Sequence, residues 1–286
     1  MKILITGATG AIGTKLCEYL RKLNHQVIPV GLTPRENIIS ADLRDEATVI
    51  QLFKSYKPDL LIHLAALTNI RFCEQNKAAS WAMNYSITEL LTQACLKHKT
   101  RILFFSSDYV FGKYNYLWKE SDTPCPVNQY GKDKAAAEQL IKINLSDYAI
   151  IRTAQLYGVP GDLVGLVQKT LASQKEFTAF ANLINCPTWI GDLFEMLKII
   201  IHQEHQGIFH CVGPEAVSRY QYACEIAKAL ALEPSRIKAL KLDFSDDIRP
   251  PIVRLSGTST YERLQFRAGK LENILPTYCS SLRQEV

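Results

Sequence analysis

The stretch KILITGATGAIGTKLCEYLRKLNHQVIPV, residues 2–30, decides the fold. Its first five residues, Lys2–Thr6, have the composition of a buried strand. After a turn rich in glycine, apolar residues recur at Ile12, Leu16 and Leu20, which is the spacing of a helix that buries one face. A second apolar run at residues 27–30 predicts another strand. The stretch therefore predicts a strand, a helix and a second, parallel strand.

The same alternation continues as far as residue 152. We predict strands at residues 38–41, 59–64, 101–106 and 148–152, and helices near residues 46–56, 81–98 and 130–144. Apolar strands separated by helices indicate a parallel sheet that is covered by helices on both faces. The predicted fold class is α/β, a Rossmann-type doubly wound parallel sheet of about seven strands.

Prolines interrupt the chain more often after residue 152, which predicts shorter elements in that part. We expect a smaller C-terminal α/β lobe there. The predicted first domain comprises residues 1–155 and about 188–206, and the predicted second domain comprises about 156–187 and 207–286.

The composition excludes several classes of protein. The 286 residues include 33 basic and 28 acidic side chains, and no basic run concentrates the formal charge of +5, so we expect no nucleic-acid partner. No apolar run is long enough to span a bilayer, and the chain enters a strand without room for a signal peptide. We therefore predict a cytoplasmic protein with no membrane partner. The eight cysteines form no Cys-x-x-Cys pair, and we expect reduced thiols and no metal site.

Gly7, Gly10 and Gly13 lie where the first strand passes into the first helix. Glycines there allow a tight turn, close approach of a pyrophosphate to the backbone, and close packing of helix on strand. An ordinary strand-to-helix turn is the other interpretation, but the flanking elements favour a dinucleotide site. The predicted cofactor-binding residues of this half are Gly7, Thr9, Gly10, Ala11, Ile12, Gly13, Gly31, Arg35, Asp42, Leu43, Leu64, Ala65, Ala66, Thr68 and Asn84.

The end of the second strand indicates which dinucleotide is bound. NAD-selective folds place an acidic residue there, whereas a small residue with an arginine nearby accommodates the 2′-phosphate of NADP. Gly31 and Arg35 fit the second pattern. NADP(H) is therefore the predicted cofactor and NAD is the alternative. A solvated loop arginine explains Arg35 equally well, and Asp42 is either a partner of the adenine ring or a helix cap.

A phenol and an ammonium, Tyr130 and Lys134, lie four residues apart and so on one face of a predicted helix. A nearby cation favours phenolate and lowers the pKa of a tyrosine, which makes the pair a tuned acid and base. Ser106 and Ser107 end an apolar strand at the edge where open α/β sheets bind ligands. We predict Ser107, Tyr130 and Lys134 as catalytic residues, with an exposed helix face and a strand-end turn as the alternatives.

These motifs resemble the extended short-chain dehydrogenases/reductases, and in particular the dTDP-4-dehydrorhamnose reductase family. The resemblance rests on the Gly-x-x-Gly-x-x-Gly turn, on SSDYVF at residues 106–111 and on PVNQYGK at residues 126–132. The regulatory β subunit of methionine adenosyltransferase is related to this family and carries the same pattern. The resemblance implies an NAD(P)-binding first domain, a substrate-binding second lobe, and NAD(P)H-dependent reduction of a nucleotide-linked 4-keto-deoxysugar for polysaccharide synthesis.

Residue roles follow from the same resemblance. Tyr130 donates a proton to the keto oxygen, Ser107 stabilises that oxygen, and Lys134 bonds the nicotinamide ribose. Ser106, Tyr130 and Lys134 complete the predicted cofactor contacts. The predicted substrate contacts are Thr68, Ser107, Asp108, Tyr109, Asn128, Gln155, Trp189 and Arg249.

The sequence departs from the family pattern in the substrate half. The family's Trp after Arg-Thr-Ser is replaced by Gln155, and its Arg-Pro-x-Asn becomes Arg249-Pro250-Pro251-Ile252, so the sugar stays open. Trp189 is either a stacking surface or a core aromatic, and Arg249 is either a diphosphate clamp or a surface arginine. A nucleotide-sugar epimerase or dehydratase that uses Asp108, and a non-catalytic NADP-binding regulatory subunit, are the alternative functions. A monomer and a homodimer both stay open.

Overall fold

The computed structural model describes residues 1–245 and 248–284, and the side chains of residues 1–245 and 248–282. The chain forms two compact units. The first unit comprises Met1–Val110, Pro124–Ile151 and Gln203–Ile208. The second comprises Phe111–Thr123, Arg152–His202 and Phe209–Val286.

The strands among the described residues are short in the second half of the chain. In chain order they are β1 (Lys2–Thr6), β2 (Gln26–Gly31), β3 (Ile39–Ser40), β4 (Leu60–His63), β5 (Arg101–Ser107), β6 (Leu117–Trp118), β7 (Tyr148–Thr153), β8 (Leu156–Tyr157), β9 (Phe177–Phe180), β10 (Ile184–Asn185), β11 (Thr188–Trp189), β12 (Gly207–His210), β13 (Val217–Ser218), β14 (Ile237–Leu240) and β15 (Arg254–Leu255).

The helices of the described ranges alternate with these strands. They are α1 (Ala11–Lys22), α2 (Glu46–Tyr56), α3 (Ile70–Gln75), α4 (Lys77–Trp81), α5 (Ile87–His98), α6 (Gln129–Asn144), α7 (Leu163–Ala172), α8 (Ile190–His202), α9 (Arg219–Ala229), α10 (Thr258–Leu264) and α11 (Leu271–Gln284). A π-helical turn, Ala82–Ser86, joins α4 to α5, and 3₁₀ turns cover Asp108–Val110 and Pro234–Arg236.

Seven strands form one sheet in the order β12-β7-β5-β4-β1-β2-β3. The pairs β1–β2, β2–β3, β1–β4 and β4–β5 are parallel, and all four residues of β4 are buried. The predicted seven-stranded α/β fold is confirmed. The strand order runs outward in opposite directions from β1 and β4. Such a switch point, at the carboxyl ends of the strands, is where open α/β sheets bind their ligands.

The core of the first unit explains why these elements form where they do. Leu4 of β1, Phe53 of α2, Leu91 of α5, Phe104 of β5 and Ile141 of α6 belong to one buried cluster. Each helix contributes the apolar face that its 3.6-residue periodicity predicts. The helix predicted near residues 81–98 is present, and it contains a π-helical turn, Ala82–Ser86, before α5 begins. Apolar spacing does not reveal one inserted residue in a helix.

The second unit is built from two-stranded sheets and helices. Strands β6 and β15, β8 and β11, and β9 and β14 pair in parallel, and β10 and β13 pair antiparallel. Val167, Ile226 and Leu275, from α7, α9 and α11, lie in its buried core. The pairs β6–β15 and β8–β11 explain why residues 111–123 and 188–202 fall in this unit, whereas the predicted boundaries placed them in the first domain. The assignment of the units to cofactor and substrate binding stays a prediction.

Three features are absent among the residues that the structure describes. None of their helices is long and apolar enough to cross a bilayer. No group of three or more His, Cys, Asp or Glu side chains there is arranged to hold a metal ion. None of the eight cysteines forms a disulfide there, and all but Cys125 and Cys224 are buried.

The turn from β1 into α1 has no room for side chains. Gly7 has φ +70, and a Cβ atom on it would lie 2.7 Å from the backbone nitrogen of Ala65. A Cβ atom on Gly13 would lie 2.2 Å from the carbonyl oxygen of Gly7. The first contact fixes how closely the turn approaches the end of β4. The second fixes how closely the first turn of α1 packs against the glycine turn that precedes it.

We expect Gly13→Ala to lower the free energy of unfolding by about 1–3 kcal/mol, because the methyl group meets backbone that moves only with α1. Urea denaturation measures the change. Gly165→Ala in α7 is the matched control, since a Cβ atom there meets only Asp162 Oδ1 at 3.6 Å. The control should be neutral or more stable by up to about 1 kcal/mol. Equal stabilities for the two variants would contradict the close packing of the turn.

Candidate active site

A pocket of about 240 Å³ lies over the glycine turn at the switch point. It is lined by Gly7, Thr9, Gly10, Val30, Gly31, Leu32, Ala41, Asp42, Leu43, Arg44, Leu64, Ala65, Ala66, Met83 and Ile87. Gly10 is the N-cap residue of α1, and no side chain caps the helix there. The first turn of α1 contains no acidic residue. The backbone N–H groups and positive end of this helix are therefore left to an anion. The uncapped helix start and the glycine turn fit the pyrophosphate of a dinucleotide.

Of the fifteen cofactor residues predicted for the half of the site around the glycine turn, nine line this pocket and six do not. Ala11, Ile12 and Gly13 belong to the turn and first residues of α1, and Arg35, Thr68 and Asn84 are also absent from the lining. Gly31 is required for a local reason as well, because a Cβ atom on it would lie 2.7 Å from Thr9 Cγ2. The glycine at the end of β2 thus follows partly from packing against the turn.

Arg35 follows β2 and Arg44 follows β3, and these two arginines differ in their partners. Arg35 is exposed, and its side chain has no hydrogen bond or ion pair with any residue that the structure describes. Arg44 lines the pocket and donates Nη2 to Asp42 Oδ2 at 2.6 Å and Nε to Asp42 Oδ1 at 2.9 Å. These bonds lower the pKa of Asp42 to about 2. Arg44 is not among the residues predicted from the sequence, although it lies only two residues after Asp42.

Asn84 holds the loop that follows β4. Its Oδ1 accepts a hydrogen bond from the Leu67 amide at 2.9 Å, and its Nδ2 donates to the Leu67 carbonyl oxygen at 3.2 Å. Asn84 is buried in the π-helical turn, whereas Thr68 is exposed. The side chain of Asn84 therefore fixes the backbone beside Thr68, and its predicted contact with a cofactor stays a prediction.

His63 at the end of β4 is a buried core residue. Its Nδ1 shares a hydrogen bond of 2.7 Å with Thr6 Oγ1, and its Nε2 shares one of 3.2 Å with Thr88 Oγ1. Burial, with a smaller effect of Lys134, lowers its pKa to about 3. The imidazole is neutral at physiological pH.

The position of α6 brings the predicted catalytic residues together. Asn128 caps the helix, accepting a hydrogen bond from the Gly131 amide at 2.8 Å. A Cβ atom on Gly131 would lie 2.0 Å from the carbonyl oxygen of Tyr109, so only glycine allows this approach. The rings of Tyr109 and Tyr130 meet edge to face, with centroids 6.3 Å apart. Asn128, predicted as a sugar contact, thus uses its Oδ1 for the helix.

Ser107 is the polar centre of the strand end. Its Oγ donates a hydrogen bond to Asp108 Oδ1 at 2.9 Å and accepts one from the Tyr109 amide at 3.2 Å. An interaction with Ser107 also lowers the pKa of Tyr130. Burial raises the pKa of Asp108 to about 7, and this carboxyl group is protonated in part of the molecules at neutral pH.

The pKa of Tyr130 shifts in the direction opposite to the expected one. Burial raises it, the charge of Asp108 raises it further, and the Ser107 hydrogen bond only partly opposes them. Lys134 does not contribute the predicted lowering, because burial also lowers the pKa of Lys134 to about 7 and so weakens its charge. The Tyr130 phenol is therefore protonated at neutral pH in the cofactor-free protein.

Glu138, one helical turn after Lys134, was not identified from the sequence. It is buried in α6, and its Oε1 accepts a hydrogen bond of 2.5 Å from Ser106 Oγ. Ser106, a predicted cofactor contact, thus has its hydroxyl engaged by Glu138. The only signal in the sequence was a glutamate on the same helix face as Tyr130 and Lys134.

The remaining predicted substrate residues belong to the second unit. Gln155 has φ +31, and both polar atoms of its amide are buried without a hydrogen-bond partner among the described residues. Trp189 packs against Tyr157 and Tyr278, with ring centroids 5.3 and 4.9 Å apart, which is the core-aromatic alternative. The Arg249 guanidinium lies 5.3 Å from the ring centroid of Phe180.

The glycine turn at the switch point of a seven-stranded sheet, with Ser107, Tyr130 and Lys134 on β5 and α6, defines an NAD(P)-dependent oxidoreductase of the extended short-chain type. The comparison with known proteins specifies the family. The chain matches the family described as "RmlD substrate binding domain" over residues 1–283, and it belongs to that family. The predicted membership in the dTDP-4-dehydrorhamnose reductase family is confirmed.

Individual relatives agree with this membership. The chain is 30% identical over 234 residues to the dTDP-4-dehydrorhamnose reductase of Aggregatibacter actinomycetemcomitans, covering 79% of this chain and 78% of that protein. It is 28% identical over 250 residues to methionine adenosyltransferase 2 subunit beta of Xenopus laevis, covering 84% and 75%. The crystal structure of a dTDP-4-dehydrorhamnose reductase from Clostridium acetobutylicum superposes with a TM-score of 0.88 at 26% identity, covering 99% and 100%.

We expect the Tyr130 phenol to ionise only above the ordinary tyrosine pKa of about 10, because burial disfavours the phenolate. The ultraviolet difference spectrum between the wild type and Tyr130→Phe, recorded against pH without cofactor, measures this. The signal of one tyrosinate should be absent at pH 9. A Tyr130 signal that appears below pH 9 would show that Lys134 dominates after all.

Proposed function

We propose that this protein is an NADPH-dependent reductase of a nucleotide-linked 4-keto-deoxysugar. The observation that carries the proposal is the buried, protonated phenol of Tyr130, which packs edge to face on Tyr109 and interacts with Ser107 at the carboxyl end of β5. A reduction needs a proton donor, and a phenol with a raised pKa is in the donor state at neutral pH. The names of the relatives support a nucleotide sugar as the substrate.

The residues of the chain supply all but the hydride, which a reduced nicotinamide provides when it is bound. Tyr130 donates its proton to the keto oxygen as that oxygen gains charge. The Ser107 hydroxyl hydrogen-bonds the same oxygen and stabilises the charge. The ketone becomes an alcohol, and Tyr130 is left as a phenolate that recovers a proton from solvent. Lys134 stabilises this phenolate and binds the nicotinamide ribose.

The residues that fit the cofactor lie in the first unit. The uncapped start of α1 and the glycines of the turn fit the pyrophosphate, and the lining between β2 and β4 fits the adenosine. We keep the prediction of NADP(H) with Arg35 at the 2′-phosphate. Its support is that Arg35 has a free guanidinium among the described residues, whereas the guanidinium of Arg44 is already bonded to Asp42.

The sugar contacts stay predictions, and the structural observations that support them differ from residue to residue. Tyr109 lies beside Tyr130, and Asp108 is bonded to Ser107. Gln155 has the strongest support in the second unit, since its unpartnered amide gains the hydrogen bonds it lacks from a hydroxyl-bearing ligand. The homodimer and the cytoplasmic location also stay predictions.

The decisive assay follows NADPH and NADH oxidation with a set of nucleotide 4-keto-deoxysugars that differ in base and stereochemistry. We expect Tyr130→Phe to lower kcat/KM on the accepted ketone by about 10²- to 10⁴-fold, because the proton donor is lost. Tyr56→Phe at the end of α2 is the matched control and should keep the wild-type rate. Unchanged reduction by Tyr130→Phe would remove the proposed mechanism.

Arg35→Ala should weaken NADPH binding by about tenfold or more, because a charge-assisted hydrogen bond to the 2′-phosphate is lost. Binding of NADH, which lacks that phosphate, should not change. Titration calorimetry of both cofactors measures the two affinities, and Arg44→Ala is the matched control. A selective loss of NADPH binding in Arg44→Ala instead would move the phosphate site to Arg44.

Asp108 favours one alternative function. A buried carboxyl group with a pKa near 7, bonded to Ser107, is a suitable acid for a dehydratase or epimerase that recycles its cofactor. Such an enzyme would convert a nucleotide sugar without net oxidation of NADPH and would purify with oxidised cofactor. The relationship to methionine adenosyltransferase 2 subunit beta supports a regulatory role, which predicts cofactor binding with no turnover of any sugar in the set.

A further inference from the structure

The space between α6 and β5 contains two buried, oppositely charged side chains. Lys134 is 2% exposed and Glu138 is 2% exposed. They lie four residues apart on α6, so both project from the same helix face. Only Lys134 is part of the predicted catalytic set, and Glu138 has no assigned role.

Both side chains contact the same face of β5. Lys134 Nζ lies 4.1 Å from the ring centroid of Phe104, and Glu138 accepts the 2.5 Å hydrogen bond from Ser106. Phe104 and Ser106 are two residues apart on one strand and therefore face the same side. The ammonium of Lys134 and the carboxylate of Glu138 therefore both lie against this side of β5.

We propose that Glu138 is a positioning residue whose buried carboxylate keeps Lys134 in its charged form, and that Ser106 orients this carboxylate. The proposal rests on the proposed function, because the charged ammonium is what holds the nicotinamide ribose and stabilises the Tyr130 phenolate. A neutral amine donates weaker hydrogen bonds than an ammonium and attracts no phenolate.

Electrostatics supports this role. Burial alone favours the neutral amine, and the charge of Glu138 is the effect that opposes it, with the pKa of Lys134 at about 7 as the result. Among the described residues, His63 also interacts with Lys134 from β4, but its own low pKa keeps it neutral above pH 5. Tyr130, one turn earlier on α6, is protonated in this range. Glu138 is therefore the one negative group identified as favouring the Lys134 charge.

The test is Glu138→Gln, which keeps the size and hydrogen-bonding capacity of the side chain but removes its charge. An opposite charge within a few ångströms shifts a pKa by about one to three units. We expect the pKa of Lys134 to fall by about one unit or more in the variant. Nuclear magnetic resonance of isotope-labelled lysine ε groups in the cofactor-free protein measures this, with Lys134→Met to assign the signal.

The pH profile of kcat/KM gives the second readout. Lys134 is charged below its pKa, so a lower pKa moves the alkaline limb of the profile to lower pH. A shift of one unit predicts about a fivefold loss at pH 7 that nearly disappears at pH 5. Glu138→Asp, which keeps the charge, should restore part of the lost activity at pH 7. A residue with only a structural role would lower the rate equally at all pH values.

Glu18→Gln on the exposed face of α1 is the control for a change of net charge, and it should shift neither readout. If Glu138→Gln does not fold, Ser106→Ala tests the same pair. The carboxylate then loses the hydrogen bond that orients it, and the pKa of Lys134 should fall by a smaller amount. An unchanged Lys134 pKa in the folded variant overturns the proposal. Absence of turnover by the wild type would instead reject the reductase function, while the resonance measurement still decides the role of Glu138.

Discussion

The candidate active site depends on the close approach of the first turn of α6 to the end of β5. A side chain at residue 131 would overlap the carbonyl oxygen of Tyr109, with a Cβ distance of 2.0 Å. Glycine removes this obstacle, and the cap formed by Asn128 on the Gly131 amide sets where the helix begins. Every contact of Tyr130 with Ser107, and of Lys134 and Glu138 with β5, follows from this one approach.

The same approach excludes water, and this determines the charges of the site. Burial favours the neutral form of any ionisable group. It raises the pKa of Tyr130, raises that of Asp108 to about 7 and lowers that of Lys134 to about 7. The three groups therefore carry little net charge in the cofactor-free protein at neutral pH. The Tyr130 phenol therefore retains its proton at neutral pH, and a full positive charge on Lys134 depends on a negative partner.

The fold was predictable because its signals are local. The strand, turn and helix of residues 2–30 can be recognised from apolar spacing, and the order of elements then restricts the topology to a parallel sheet. The proximity of Tyr130 and Lys134 was predictable for the same reason, since they are separated by one helical turn. The contacts that could not be predicted join residues that are far apart in the sequence. The bond of Glu138 to Ser106 joins residues 32 positions apart, and the pairing of β6 with β15 joins segments more than 130 residues apart.

The sign of the Tyr130 shift shows why motif reasoning stops short of electrostatics. The spacing of a phenol and an ammonium suggests mutual stabilisation of their charged forms, and this holds where both charges exist. In this protein the burial of Tyr130 and Lys134 determines first whether either side chain carries a charge at all. Burial depends on how the helices and strands pack, and it cannot be derived from two residue types at a fixed spacing in the sequence. The charge of Lys134 must therefore be explained by its surroundings.

A similar argument applies to Gln155, the proposed sugar contact of the second unit. Gln155 and Asn185 bury amide atoms without partners among the described residues, and each such atom costs about 1–3 kcal/mol unless a ligand completes it. An aromatic side chain at position 155 would bind a sugar by contact with its apolar face and would tolerate changes of hydroxyl stereochemistry. An amide instead needs a donor or acceptor at a fixed place, so a ligand that lacks it leaves the buried amide unpaired. The replacement of an aromatic residue by Gln155 thus favours recognition of a particular hydroxyl group over recognition of a sugar ring in general.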